Sequence, residues 1–332
     1  MWQGDAMSGR KRIKVRYVDF WPGFEPEEQS WYRILSGEYE LVEDDKPDYI
    51  IDGGLGCHHL KYDCIKILKL GENLVPDFNS FDYAIGYDFL TFGDRYVRIP
   101  SYAFYDSYRA LYNRALPSDD ALLKRGFCSF VVSNPVGDPI RELFFKRLSK
   151  YKKVDSGGKW MNNVGGPVKD KLGFCSNYKF NICFENSVSP GYTTEKLMQA
   201  LAANTVPIYY GNPLVTEDFK SECMVCIKNE EDVEKAVDEI IRLDNDDDAY
   251  LMKCKSSCLV KEDHDYYDKM TLEFFRHIFD QPLDKARRLN RFGYQATQRR
   301  NTRPALLAHQ FARDSFWFLF DLMHGRIRRI RK

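Results

Sequence analysis

The 332-residue sequence predicts an α/β protein of two domains facing a central cleft, and three observations carry that prediction. Apolar strand patterns alternate with helical ones almost throughout, the signature of βαβ units and parallel sheets. The composition, 44% hydrophobic and 30% charged, is that of a folded globular chain and excludes a disordered chain, a collagen-like fibre and a membrane-spanning bundle. The length is about twice that of a domain of roughly 150 residues.

Taken in order, the first half offers strands over 13–20, 48–51, 65–70, 83–85 and 96–99, with a helix near 28–35. Around residues 116–125 the chain turns polar (Pro117, Ser118, Asp119, Asp120), and a strand at 127–133 starts the alternation again. The domain boundary is placed there. Further strands follow at 180–184, 206–210 and 224–227, separated by helices over 139–150, 195–203 and 230–243. Asn229 caps the last of these, and Glu230, Glu231 and Asp232 in its first turn suit the helix dipole. The expected partition is 1–120, 121–284 and a basic tail, 285–332.

Lys and Arg equal Asp and Glu at 49 each, but unevenly. Between Lys285 and Lys332 there are thirteen cations against Asp314 and Asp321, a local +11 that leaves −11 on the rest. An anionic surface should therefore be met by the tail. Nine cysteines, an odd number at uneven spacing, point to a reducing compartment. Residues 1–12 are polar, and no apolar run approaches the ~18 residues of a membrane span. The expected location is cytoplasmic, peripheral at the inner face of a membrane.

In open α/β sheets ligands bind beyond the carboxyl ends of the strands, where helix N-termini attract anions. Strand 127–133 runs into Asn134-Pro135-Val136-Gly137-Asp138-Pro139-Ile140-Arg141, with Asp138 as N-cap and Pro139 at the first helical position. Arg141 in the first turn is mismatched to the dipole unless an anion sits there; an arginine paired with Glu142 or Asp138 is the open alternative. Strand 180–184 leads through Glu185 to Lys196 into an apolar helix. Thr194 caps that helix, and Glu195 and Lys196 take its first two positions. Two adjacent helix starts, each with a cation, point to one anion between them.

These residues carry a family resemblance. Phe180-Asn181-Ile182-Cys183-Phe184-Glu185-Asn186-Ser187, then Gly191-Tyr192-Thr193-Thr194-Glu195-Lys196, then Val206-Pro207-Ile208-Tyr209-Tyr210-Gly211, resemble the donor-binding signature of the α1,3/4-fucosyltransferases of glycosyltransferase family 10. Lys124 to Asn134, Gly71-Glu72-Asn73 and Phe81-Asp82-Tyr83-Ala84-Ile85-Gly86 resemble the same family, especially its bacterial members. The clear resemblance runs from about Gly71 to Asp232. Val188-Ser189-Pro190 departs from the aromatic, glycine-containing stretch common there.

The resemblance implies a GT-B-like enzyme of two Rossmann-like domains, an N-terminal one for the acceptor and a C-terminal one for GDP-β-L-fucose. It implies inverting transfer of fucose to the 3-hydroxyl of GlcNAc in N-acetyllactosamine-type glycans, lipid-linked ones included, in protein glycosylation and Lewis-antigen chemistry. Glu72 is implied as the catalytic base, and Arg141 as the diphosphate contact. Asn186, Tyr192, Glu195 and Lys196 are implied to line the GDP-fucose site. Cations in place of a metal mean no metal and no cofactor beyond the donor substrate. A non-catalytic nucleotide-sugar or glycan-binding protein is the alternative; nucleic-acid binding is disfavoured by the acidic body.

Other signals weigh less. Asp246-Asp247-Asp248 lacks a preceding buried strand and reads as a turn or helix start. Cys223 and Cys226 approach zinc-like spacing with Cys254 and Cys258, but strand alternation sends the first two to opposite faces. His58 and His59 are adjacent and expected to point apart, so no histidine-based set is visible. Residues 305–332 combine an aromatic-rich helix with basic flanks, which suits either an anionic membrane surface or a helix packed on the body.

Overall fold

Two all-parallel sheets organise the chain in the computed structural model, which describes residues 9–323, with side chains through residue 320. The first contains β1 (Lys11–Val18), β2 (Tyr39–Glu43), β3 (Tyr49–Asp52), β4 (Ile65–Lys69), β5 (Tyr83–Gly86) and β6 (Tyr96–Arg98) in the order β2-β1-β3-β4-β5-β6. The second contains β7 (Gly126–Phe130), β8 (Val154–Ser156), β9 (Tyr178–Phe184), β10 (Val206–Tyr210) and β11 (Val225–Ile227) in the order β11-β10-β9-β7-β8. Every residue of β3, β5 and β10 is buried, as expected of parallel strands covered on both faces.

The expected strands are present within a few residues; β2 and β8 are additional. Both are edge strands. The first carries Glu40 and Glu43, and Lys152 and Lys153 lead into the second, so neither shows the apolar run of an interior strand. Asp138 keeps its capping role, with its Oδ1 accepting from Ile140 N at 3.1 Å. The polar stretch at 116–125 is a capped helix, Asp119–Leu123, with Ser118 Oγ accepting from Ala121 N. Asp246 likewise caps the helix Asp247–Lys255.

The partition into units differs from the expected 1–120, 121–284 and 285–332. One unit takes the chain through Gly86, Leu90–Ile99 and the chain from Tyr267 onward; the other takes Tyr87–Phe89 and Pro100–Tyr266. The cause is an unanticipated aromatic helix, Tyr266–Phe279. Its Phe279 packs on Tyr39 and Tyr49 (5.3 and 4.8 Å between ring centroids), and its Phe274 on Tyr83 (6.0 Å). Tyr83 Oη then donates to Ala286 O at 2.6 Å. The buried Asp82 accepts from the backbone N–H groups of Lys66, Arg288 and Leu289, which ties the following strap to the first sheet.

The chain then forms a long helix, Gly293–Met323. Gln310 is its buried anchor, accepting from Cys57 N at 3.1 Å, while Phe311, Phe316, Trp317, Phe318 and Leu319 are exposed. Arg326, Arg328, Arg329, Arg331 and Lys332 lie outside the described residues. Among the described residues, no helix is long and apolar enough to cross a membrane.

Candidate donor-binding site

The strand order of the second sheet reverses between β7 and β9, and in open α/β sheets ligands bind at such a switch point, beyond the carboxyl ends of the strands. The two loops singled out in the sequence leave these two strands. They are joined there: Asp138 N donates to Asn186 O at 2.9 Å. Arg141, in the helix Ile140–Leu148, is 1% exposed. Its guanidinium donates to Asn186 Oδ1 (3.3 Å), Val136 O (3.3 Å) and Asn134 O (2.9 Å), and it stacks over Trp160 at 5.1 Å. Nε has no partner among the described residues, and the side chain makes no ion pair. Burial pulls its pKa down, against the attraction of Asp138 and Glu185. A positive charge is thus fixed under the 134–138 loop, with neutral oxygens as its direct acceptors.

The second cation is held differently. Thr194 caps the helix Glu195–Ala202, as expected, and Lys196 Nζ lies 3.0 Å from Glu185 and 3.8 Å from Glu195. Glu185, absent from the sequence-derived site, is fully buried at the end of β9. One of its oxygens accepts from Thr194 N and the other from Thr194 Oγ1, both at 2.7 Å. Burial pushes its carboxyl up, opposed by Lys196 and Thr194. Lys196 loses solvation too, but Glu185 and Glu195 outweigh that and hold its ammonium above the usual range, while Arg141 works against it. The two cations are therefore close enough to repel, and Lys196 is not the unmatched charge the sequence implied. The signal for Glu185 is an acid directly after a mostly apolar strand.

Packing fixes the loop between them. Tyr192 is buried, its ring 5.1 Å from Tyr87, and its carbonyl accepts from Tyr209 Oη. Gly191 has φ +85°, and its N–H donates to the buried Asn212 at 2.7 Å. Gly211 has φ +150°, and a Cβ there would meet Glu185 Cγ at 2.5 Å. Tyr210 Oη donates to Asp138 at 2.6 Å. Of the expected site residues, Arg141 and Asn186 touch directly, and Glu195 and Lys196 share one ion-paired cluster.

Glu72 belongs to the other unit. It follows β4 by three residues, at the carboxyl edge of that sheet, and is exposed. At the switch point of that sheet, between β1 and β3, the structure corrects the reading of the histidines. His58 and His59 converge. His58 Nδ1 lies 2.6 Å from Asp19 and its Nε2 3.1 Å from Asp314; His59 Nδ1 lies 3.2 Å from Asp52. Asp19, Asp52 and His59 form the one cluster among the described residues with the donor set of a metal site.

Comparisons with known proteins agree with this architecture. Residues 15–105 match the model of the alpha-(1,3)-fucosyltransferase FucT N-terminal domain, and residues 122–256 that of the glycosyltransferase family 10 (fucosyltransferase) C-terminal region. The chain is 35% identical over 283 residues to the alpha-(1,3)-fucosyltransferase FucT of Helicobacter pylori, covering 72% of this chain and 59% of that protein. It is 25% identical to a putative fucosyltransferase of Acanthamoeba polyphaga mimivirus over 73% of this chain and 42% of that one. It thus spans about half the length of these curated relatives. A crystal structure of an alpha1,3-fucosyltransferase with GDP-fucose superposes with a TM-score of 0.69 at 31% identity, covering 85% of this chain and 94% of that one. Two parallel α/β units of this strand order, together with that superposition, place the chain in the GT-B-like fold class. Within that class, the chain belongs to glycosyltransferase family 10, the fucosyltransferases.

Proposed function

We propose that the chain transfers L-fucose from GDP-β-L-fucose, with inversion, to the 3-hydroxyl of a GlcNAc unit in an N-acetyllactosamine-type glycan. The observation that carries this reading is the cationic switch point of the second unit, built from Arg141, Asn186, Glu195 and Lys196 on the two loops after β7 and β9. The GDP-fucose named for the similar crystal structure supports that donor here. Glu72 takes the proton of the acceptor hydroxyl as its oxygen bonds to the anomeric carbon. The bond from that carbon to the β-phosphate oxygen breaks, and its electron pair leaves with GDP. Arg141 and Lys196 stabilise the charge that grows on the diphosphate, and because they are already held in place they need no reorganisation. Asn186, Tyr192 and Glu195 frame the nucleotide sugar.

Glu72→Ala is expected to bind GDP as tightly as the parent and to lose roughly 10²–10⁴-fold in kcat, the usual worth of a general base. An assay of fucose transfer to the acceptor, with titration calorimetry for GDP, checks both. Wild-type turnover in that variant removes Glu72 from the mechanism. A parent chain that binds GDP-fucose and transfers to no acceptor is a binding protein.

A peripheral place on an anionic cytoplasmic membrane face belongs to the same proposal. The exposed aromatic run Phe316–Leu319 and the basic residues beyond it support that reading. Removing the whole of 285–332 would also strip Ala286 from Tyr83 and Arg288 and Leu289 from Asp82. Removing residues 315–332 should instead release the protein from anionic vesicles at low salt.

A further inference from the structure

A second cationic site lies in the first unit. The strap and the start of the C-terminal helix enclose a cavity of about 420 Å³ against residues 60–66, within the ~300–1,000 Å³ range of small-molecule pockets. Lys66, Arg287, Arg291, Arg299, Arg300 and Arg303 line it, over an apolar floor that includes Leu289 and Ala296. Asp63 is the one acid in the lining, and Arg287 already holds it, at 3.0 Å. Asp82 lies behind Lys66, but its oxygens accept three backbone N–H groups.

The remaining five cations make no ion pair among the described residues. Arg299 donates to the carbonyls of Asn79 and Asn290, and Arg300 to Thr297 Oγ1, all neutral acceptors. Arg299, Arg300 and Arg303 recur at spacings of three and four on one helix face, where like charges destabilise a helix. Lys66 faces them from β4; burial pulls its ammonium below the usual range, and Arg303 adds to that. The Asp82 clamp fixes the strap side of the cavity in advance, through the backbone of Arg288 and Leu289. Five cations around one cavity, without an ion-pair partner among the described residues, are suited to an anion of high charge.

We propose that this pocket binds a phosphate-rich anion carrying at least two phosphate groups, whether a soluble diphosphate or clustered anionic lipid headgroups. The site stands apart from the donor crevice, which the other unit builds, so it does not depend on the donor assignment.

Inorganic pyrophosphate is the probe, titrated calorimetrically into the full chain at about 0.15 M salt. Arg141→Ala, which disables the donor crevice, is expected to keep a pyrophosphate site. Adding Arg300→Glu and Arg303→Glu to it should weaken that site at least tenfold. The milder Arg300→Gln/Arg303→Gln pair should give an intermediate loss with an unchanged circular dichroism spectrum. No pyrophosphate binding by the Arg141→Ala chain, or binding unchanged by both double substitutions, overturns the proposal. Vesicles of phosphatidylglycerol and phosphatidylcholine then identify the source. Vesicle binding displaced by pyrophosphate and lost on charge reversal identifies a headgroup site, and pyrophosphate binding without displacement identifies a soluble ligand.

Discussion

The two sheets share one strand order up to their fifth strand, yet their switch points are filled with opposite chemistry. In the second unit, the crevice after β7 and β9 holds Lys196, ion-paired with Glu185 and Glu195, and Arg141, whose hydrogen bonds go to neutral acceptors. In the first unit, the crevice after β1 and β3 holds Asp19 and Asp52, facing His58 and His59 and closed by Gln310 and Asp314 of the C-terminal helix. Asp19 sits there at φ +56°, a conformation that costs a side-chain-bearing residue roughly 1–3 kcal/mol and persists only where the surroundings enforce it. On the proposed function, the same topology serves binding in one unit and a structural latch in the other. Charge left unpaired, rather than strand order, distinguishes them.

The largest test of that contrast is Glu185→Ala. Removing the buried partner of Lys196 leaves an uncompensated ammonium, a loss of about 3–5 kcal/mol by chemical denaturation, together with loss of GDP binding. Stability unchanged to within 1 kcal/mol, again read by denaturation, would show that Lys196 is held by something else. Arg141→Ala follows. It is expected to weaken GDP-fucose binding roughly 10²-fold by calorimetry, and unchanged affinity takes Arg141 out of the diphosphate site.

The smallest effect belongs to the latch. Both ring nitrogens of His58 face carboxylates, so the protonated imidazole fits best, and the hydrogen bond to Asp19 raises its pKa. A raised imidazole adds stability that is complete below its unfolded value, about 6.5, and is lost as pH rises through the folded one. Asp52, pushed up to about 6 by burial, acts in the same direction from its unfolded value near 3.9 upward. The melting temperature should therefore fall by a few degrees as pH rises from 5 toward 8, and His58→Asn should flatten the upper part of that slope. An unchanged slope in the variant assigns the pH dependence elsewhere.

The parts legible in the sequence were those written locally. Interior strands announced themselves as apolar runs, Thr194 and Asn229 as caps, and Arg141 as a cation at the wrong end of a helix. The edge strands β2 and β8 were missed because half-exposed strands carry charges. Glu185 reads locally as one polar residue of a loop; its importance lies in full burial, at which the mostly apolar strand before it only hints. His58 and His59 were read as pointing apart because adjacency in sequence says nothing about Asp19, 39 residues upstream, reaching both through a left-handed turn. The return of residues 267–286 to the first sheet was equally hidden, since an aromatic helix does not say which aromatic surface it will cover.

That return constrains how the protein is made. The ribosome releases the whole of Pro100–Tyr266 before the helix that shields Tyr39, Tyr49 and Tyr83 exists, so the later-encoded unit can mature first. At about 5–20 residues per second the earlier one waits many seconds with a sticky aromatic flank uncovered. During biosynthesis, exposure to aggregation and to chaperones is concentrated on the half of the molecule that was translated first.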